Sequence, residues 1–265
     1  MKQTITVTAA FGIVIISVLS ALVIGMLIGA LDSSAETQTG LTLYLAMFFG
    51  QAFLLIPVLY YLKIKNQPYL ETLRIRPISL RTAGAAVLVA LGTVILAEEI
   101  NILIGLILPM PDSFLQMEKL LNPQNPLAYF ILVITIVFLA PLGEEVLFRG
   151  FLQNFLEKAW GDVTRAVLFT SLCFALIHLN PYWVVQIYLL GVILGFTAWS
   201  SKSIITSIIF HVIINASSLL AAALGQSFES AILWKGHIFP PLLLFGCVLF
   251  GAGFKRLNSK HGGRL

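Results

Sequence analysis

Charge is scarce in this chain: 16 Lys and Arg plus 12 Asp and Glu make up 11% of 265 residues, where a soluble domain carries about a quarter. That shortage, with 58% hydrophobic residues and a mean hydropathy of +0.96, excludes a soluble globular protein and indicates a polytopic membrane protein. Cysteine is nearly absent. Cys173 and Cys247 both fall inside apolar runs, where a thiol behaves as a small hydrophobe, so neither a disulfide framework nor a thiolate metal site is expected. Internal repeats, low-complexity tracts and polar stretches long enough for a soluble domain are also missing, which leaves one membrane domain over residues 1–265. The net charge of +4 and pI near 9.1 come without a basic patch interleaved with aromatics. Nucleic acid is therefore excluded as a partner, and the lipid bilayer is the expected surroundings.

What is abundant is apolar sequence. A span needs about 20 mostly apolar residues, and runs near 8–31, 41–62, 82–108, 127–150, 164–179, 182–200, 203–224 and 238–254 qualify. The expected fold class is all-α, a polytopic membrane protein of about eight transmembrane helices. The first run exceeds the 7–15 residue core of a cleavable signal peptide and is read as a retained span. Lys63, Lys65, Arg74, Arg76 and Arg81 lie between runs two and three, and Lys255, Arg256, Lys260 and Arg264 follow the last run. The loops around Asp32 and Glu36, and around Asp112 and Glu118, are acidic or mixed. Cytoplasmic loops are enriched in Lys and Arg, so the expectation is a multi-pass protein of the cell membrane with both termini cytoplasmic.

Polar residues inside the runs carry the functional signal, because a charge at the centre of a membrane helix costs about 2.5–3.5 kcal/mol on insertion scales. Glu144, Glu145 and Arg149 stand together in GEEVLFRG. Residues four apart share a helix face, so Glu145 and Arg149 are expected to pair, while Glu144, about 100° away, is left as a free carboxylate suited to general acid–base work. The competing reading puts all three at the membrane interface, with Arg149 snorkelling to lipid phosphates. His178 closes CFALIH and His211 opens FHVIIN. Phe174 lies four residues before His178, where its ring can wall the imidazole, and Asn215 lies four after His211, where an amide can orient a ring or bind an oxyanion. Taken singly, each histidine fits a hydrogen-bonded interior side chain, Phe174 fits plain packing, and Asn215 fits a bridge between helices. His237 and His261 are read as solvated. A second acidic pair, Glu98 and Glu99 in LAEEINIL, lacks an arginine four residues on. It is kept outside the catalytic set as a cavity lining, a lateral gate or the partner of a distant cation.

Helix rise raises one difficulty. At about 1.5 Å per residue, Glu144 and His211 fall nearer the cytosolic side, whereas His178 falls at the far end of a short fifth span. A common site requires tilt or a fifth span that starts deeper, and Gly161 and Asp162 are placed to turn the chain back.

In order, EExxxR (Glu144, Glu145, Arg149), FxxxH (Phe174, His178) and HxxxN (His211, Asn215) resemble the CAAX-protease and bacteriocin-processing family of intramembrane proteases. The resemblance covers roughly residues 125–220. It implies an intramembrane endopeptidase in which Glu144 activates water, Glu145 and Arg149 hold the site, His178 helps position the water, and His211 with Asn215 stabilises the oxyanion; Phe174 would line the substrate cavity. The implied substrate is a membrane-associated peptide or protein, as in CAAX-type processing or in bacterial peptide processing and immunity. Short loops favour a prokaryotic member. A metal-independent mechanism without cofactor is the reading taken, since HExxH is absent; a zinc ion on Glu144, His178 and His211 is the alternative left open. A transporter or proton or cation pathway using the same residues is the runner-up, although no repeated halves are present. A catalytically silent scaffold is disfavoured because every motif position holds a competent residue.

Overall fold

The computed structural model describes residues 5–31, 40–109 and 119–258. All eight apolar runs are helical. Seven are long and apolar enough to cross a membrane: α1 (Val7–Gly29), α2 (Leu41–Ile64), α4 (Leu80–Ile107), α5 (Pro126–Trp160), α7 (Val184–Ser201), α8 (Ile204–Leu224) and α10 (Pro240–Asn258). Between them lie the one-turn α3 (Tyr69–Thr72), α6 (Val163–Leu176), α9 (Gln226–Ile232) and a two-stranded hairpin of β1 (Leu233–Trp234) and β2 (His237–Ile238). The chain is an integral membrane protein. Asp32, Glu36, Asp112, Glu118, Lys260, His261 and Arg264 lie outside the described residues.

The fifth run departs from expectation. At 14 residues α6 is too short to span, about 21 Å at 1.5 Å per residue against a hydrocarbon core of about 30 Å. The missing length is in α5, whose 35 residues run ten positions past the expected end at 150. Gly161 then adopts a left-handed φ of +65°, where the absence of a Cβ removes the usual clash, and Asp162 caps α6 by accepting the Arg165 N–H at 2.9 Å.

This out-and-back path removes the expected gap in depth. Glu144 lies 16 residues before Trp160 and His178 lies 15 after Val163, about 24 Å and 22 Å from the turn at 1.5 Å per residue. Counted along the chain the two legs are nearly equal, and Phe174 on the return leg reaches both Arg149 and His178. The first turns of α1 reach the turn end of this pair, where the Phe11 ring meets Phe169 edge-on at 5.6 Å and Phe169 meets Trp160 at 5.6 Å. The last turn of α10 reaches the end of α7, where Ser200 Oγ donates to the Leu257 carbonyl.

Within α5, two stretches, Ile134–Leu139 and Glu145–Gln153, are wound with i→i+5 hydrogen bonds. Such wide turns are rare and gather at functional sites. The second is enclosed, every residue from Gly143 to Asn154 being buried, whereas Phe138 in the first is 52% exposed.

Candidate active site

The wide turn beginning at Glu145 carries a fully buried ion pair. Arg149 Nη1 donates to Glu145 Oε1 at 2.9 Å, and both side chains have no exposed surface. The interfacial reading of Arg149 is thereby excluded, because its guanidinium reaches no lipid headgroup. Arg149 Nη2 donates to the Gly191 carbonyl of α7 at 3.1 Å, and its Cζ stands 4.2 Å from the centre of the Phe174 ring, a cation–π contact in desolvated surroundings. Arg149 Nε and Glu145 Oε2 are buried without a geometrically satisfactory hydrogen bond, although the Ser207 hydroxyl lies beside the Glu145 carboxylate.

Glu145 also holds a histidine. His211 Nδ1, on α8, donates to Glu145 Oε1 at 3.0 Å, so the same oxygen receives a guanidinium and an imidazole N–H. The opposite ring nitrogen, Nε2, lies 3.8 Å from Glu144 Oε2, beyond direct hydrogen-bond range. Glu144 and His211 each retain 7% exposure, whereas Glu145 retains none. The two adjacent glutamates are thus separated in role by one helical step: Glu145 is consumed by the scaffold, and Glu144 makes no hydrogen bond shorter than this contact among those described.

His178 is exposed, and its Nδ1 donates to the Phe174 carbonyl at 2.8 Å. A carbonyl only accepts, so the neutral ring presents its lone pair at Nε2. Phe174 is more than the wall expected. Its ring meets Phe148 at 5.4 Å, His178 at 4.9 Å and His211 at 5.9 Å, all edge-to-face, while its face covers Arg149, so one buried ring touches three motifs at once.

Asn215 bridges two helices. Its Nδ2 donates to the Ile136 carbonyl in the first wide turn of α5 at 2.9 Å, where the shift from i→i+4 to i→i+5 bonding changes the local pairing of carbonyls. The amide secures that turn with one N–H and retains a second. Of the acidic pair on α4, Glu99 is engaged: its Oε1 accepts from His237 Nδ1 at 2.8 Å, and its Oε2 accepts the Ile238 N–H at 2.9 Å. His237 is therefore not merely solvated; with Glu99 it fastens the hairpin to α4. Glu98 is exposed.

Sequence reading missed the continuation of the stripe. Glu145, Arg149, Gln153 and Glu157 recur every four residues, a period visible in the sequence. Gln153 Nε2 donates to Glu157 Oε1 at 2.9 Å and to the Gly195 carbonyl at 3.0 Å, as Arg149 does to Gly191 one turn away. A Cβ at Gly195 would come within 2.8 Å of Gln153 Oε1 and 3.0 Å of Val167. Gly195→Val is expected to destabilise by about 1–3 kcal/mol through overpacking, read as a lowered Tm by tryptophan fluorescence in detergent. An unchanged Tm would mean that α5 and α7 are not seated on each other there.

Among the described residues, no three His, Cys, Asp or Glu side chains are grouped so as to hold a metal ion. Glu144, His178 and His211 are not among such a group in this arrangement.

Residues 126–217 match the family model for type II CAAX prenyl endopeptidase Rce1-like proteins. Over that stretch, about a third of the chain, the sequence is similar to the CAAX-protease family. That stretch begins at the first residue of α5 and ends two residues past Asn215, so it holds all three motifs. No curated protein and no solved structure matches significantly. The match supports a CAAX-type intramembrane endopeptidase in general terms.

Proposed function

We propose that Glu144 is the general base of a metal-independent peptide hydrolysis, with a membrane-associated peptide or protein as substrate. The observation that carries this is the opposition of Glu144 Oε2 and His211 Nε2 at 3.8 Å, with the far side of the His211 ring fastened to Glu145. A polar separation of that size suits one bridging water, and a water held there is the nucleophile. Its oxygen adds to the scissile carbonyl carbon while Glu144 takes its proton. Collapse of the tetrahedral intermediate breaks the C–N bond, and Glu144 returns the proton to the leaving nitrogen. His178 Nε2 orients the water on the exposed side. In its imidazolium form His211 donates Nε2–H to the oxyanion, its charge balanced by Glu145 behind it, and the second amide N–H of Asn215 is the other donor.

Both termini face the cytoplasm of a cell membrane in this reading, with the short α6 as the return pass between α5 and α7 that makes the passes even; this matches the cations Lys63, Arg76, Arg81 and Lys255, all exposed, with the positive-inside tendency. The substrate reaches Glu144 from the membrane side and water from the face where His178 is exposed. Prenylated chains and bacterial peptides both satisfy that description. The test is cleavage of a fluorogenic peptide library by purified protein in detergent, with and without a strong zinc chelator. Cleavage that survives chelation is expected. Loss on chelation with recovery on adding zinc would overturn the metal-independent step, and an absence of cleavage together with ion or proton flux in vesicles would favour the pathway reading.

A further inference from the structure

Glu144 and His211 lie on two helices, α5 and α8, whose mutual position sets their separation. A short stretch well before both touches each of them. Asn154 Nδ2 of α5 donates to the Thr72 carbonyl at 2.8 Å, a Cβ on Gly150 would lie 2.8 Å from the Leu73 carbonyl, and the Arg74 guanidinium is paired through both terminal nitrogens with the Glu157 carboxylate. On the other side, the Ile204 N–H that opens α8 donates to the Arg74 carbonyl at 3.0 Å, and Ser203 Oγ donates to the Arg76 carbonyl at 2.6 Å. Arg74 thus holds α5 with its side chain and α8 with its backbone.

The backbone at Arg74 is itself informative. α3 ends with Ile75 N–H on the Leu70 carbonyl at 2.8 Å and Arg74 N–H on the Glu71 carbonyl at 3.3 Å, the pattern that terminates a helix with a left-handed residue. That residue is usually glycine, yet here it is Arg74 at φ +54°. An L-residue in this conformation is disfavoured, and strain of this kind persists where the surroundings over-determine it. The partner Glu157 also accepts from Gln153, and it ends the four-residue stripe that begins at Glu145, so the clamp grips the same helix, three such steps from the carboxylate that orients His211.

We propose that Thr72–Arg76 is a clamp that fixes α5 against α8, with Arg74 as a positioning residue for the Glu144–His211 pair, although it lies outside residues 126–217. The kinetic part of this inference rests on the endopeptidase reading; the structural part does not. Arg74→Gly keeps the left-handed turn, and hence the carbonyl contacts, while deleting the guanidinium. Glu157→Gln removes the charge from the other side and keeps an acceptor for Gln153, which covers the case in which the first variant fails to fold. Arg74→Lys is the conservative rescue.

Spin labels at Lys158→Cys on α5 and Lys202→Cys before α8, both exposed positions, in a Cys173→Ala/Cys247→Ala background, report the spacing by pulsed EPR. The expected result is a broadened distance distribution in Arg74→Gly and Glu157→Gln, with kcat lowered about 10–100-fold and KM changed by less than roughly two-fold, and with Arg74→Lys intermediate. A distribution unchanged from the parent overturns the clamp, whatever kcat does. Broadening with kcat unchanged overturns the positioning role. Broadening in a protein whose unsubstituted form cleaves no peptide supports the clamp and counts against the endopeptidase reading instead.

Discussion

Glu144→Gln is expected to lower kcat by about 10²–10⁴-fold, the usual contribution of a positioned general base, with little change in Tm. The side chain makes no hydrogen bond to the scaffold among those described, His211 Nε2 standing 3.8 Å away, and the amide is isosteric with the carboxylate. Stability and activity should therefore separate cleanly at this position. Parallel thermal unfolding and single-turnover cleavage measure both, and full activity in a preparation free of host proteases would remove Glu144 from the mechanism.

Arg149→Met should behave in the opposite way. Removing one partner of a buried ion pair leaves the other charged and enclosed, at a cost of about 3–5 kcal/mol, and Arg149 also gives up its bond to Gly191 and the Phe174 face. Folded yield and Tm are expected to fall together with activity. The double variant Glu145→Leu/Arg149→Met then decides what the pair is for. Replacing both charges by apolar groups of similar size is often neutral or stabilising, offset here by His211 Nδ1 losing its acceptor, about 1–3 kcal/mol. Recovered folding with activity still absent would assign the pair to orienting His211, whereas recovered cleavage would show that the imidazole needs no carboxylate behind it.

The contrast between these two positions was partly legible in the sequence. Four-residue spacing foretold the pairing of Glu145 with Arg149, since neighbours on a helix face follow from its period alone. All eight apolar runs were visible for the same reason, because burial in lipid leaves a compositional trace. The end of α5 was not visible. EKAW and the residues before it are polar enough to suggest an exit from the membrane, yet protein contacts, including the Gln153 and Glu157 bonds, let the helix continue to Trp160. The wide turns were hidden as well; Asn215, which bonds to the first of them, is 79 residues from Ile136. Arg74 read as one more cation in a cytoplasmic loop, and nothing local revealed that its partner lies on another helix.

The outward leg from Glu144 to Trp160 and the return leg from Val163 to His178 behave as two arms of a caliper hinged at Gly161. One residue added within the outer arm would carry the hinge about 1.5 Å further and rotate it about 100°, delivering His178 to the wrong height and the wrong side even though the change is more than 15 Å from the carboxylate. Tolerable alterations of length must come in matched pairs, close to a whole turn on each arm. For Asn154–Trp160 and the first half of α6, the length of sequence is itself a component of the site.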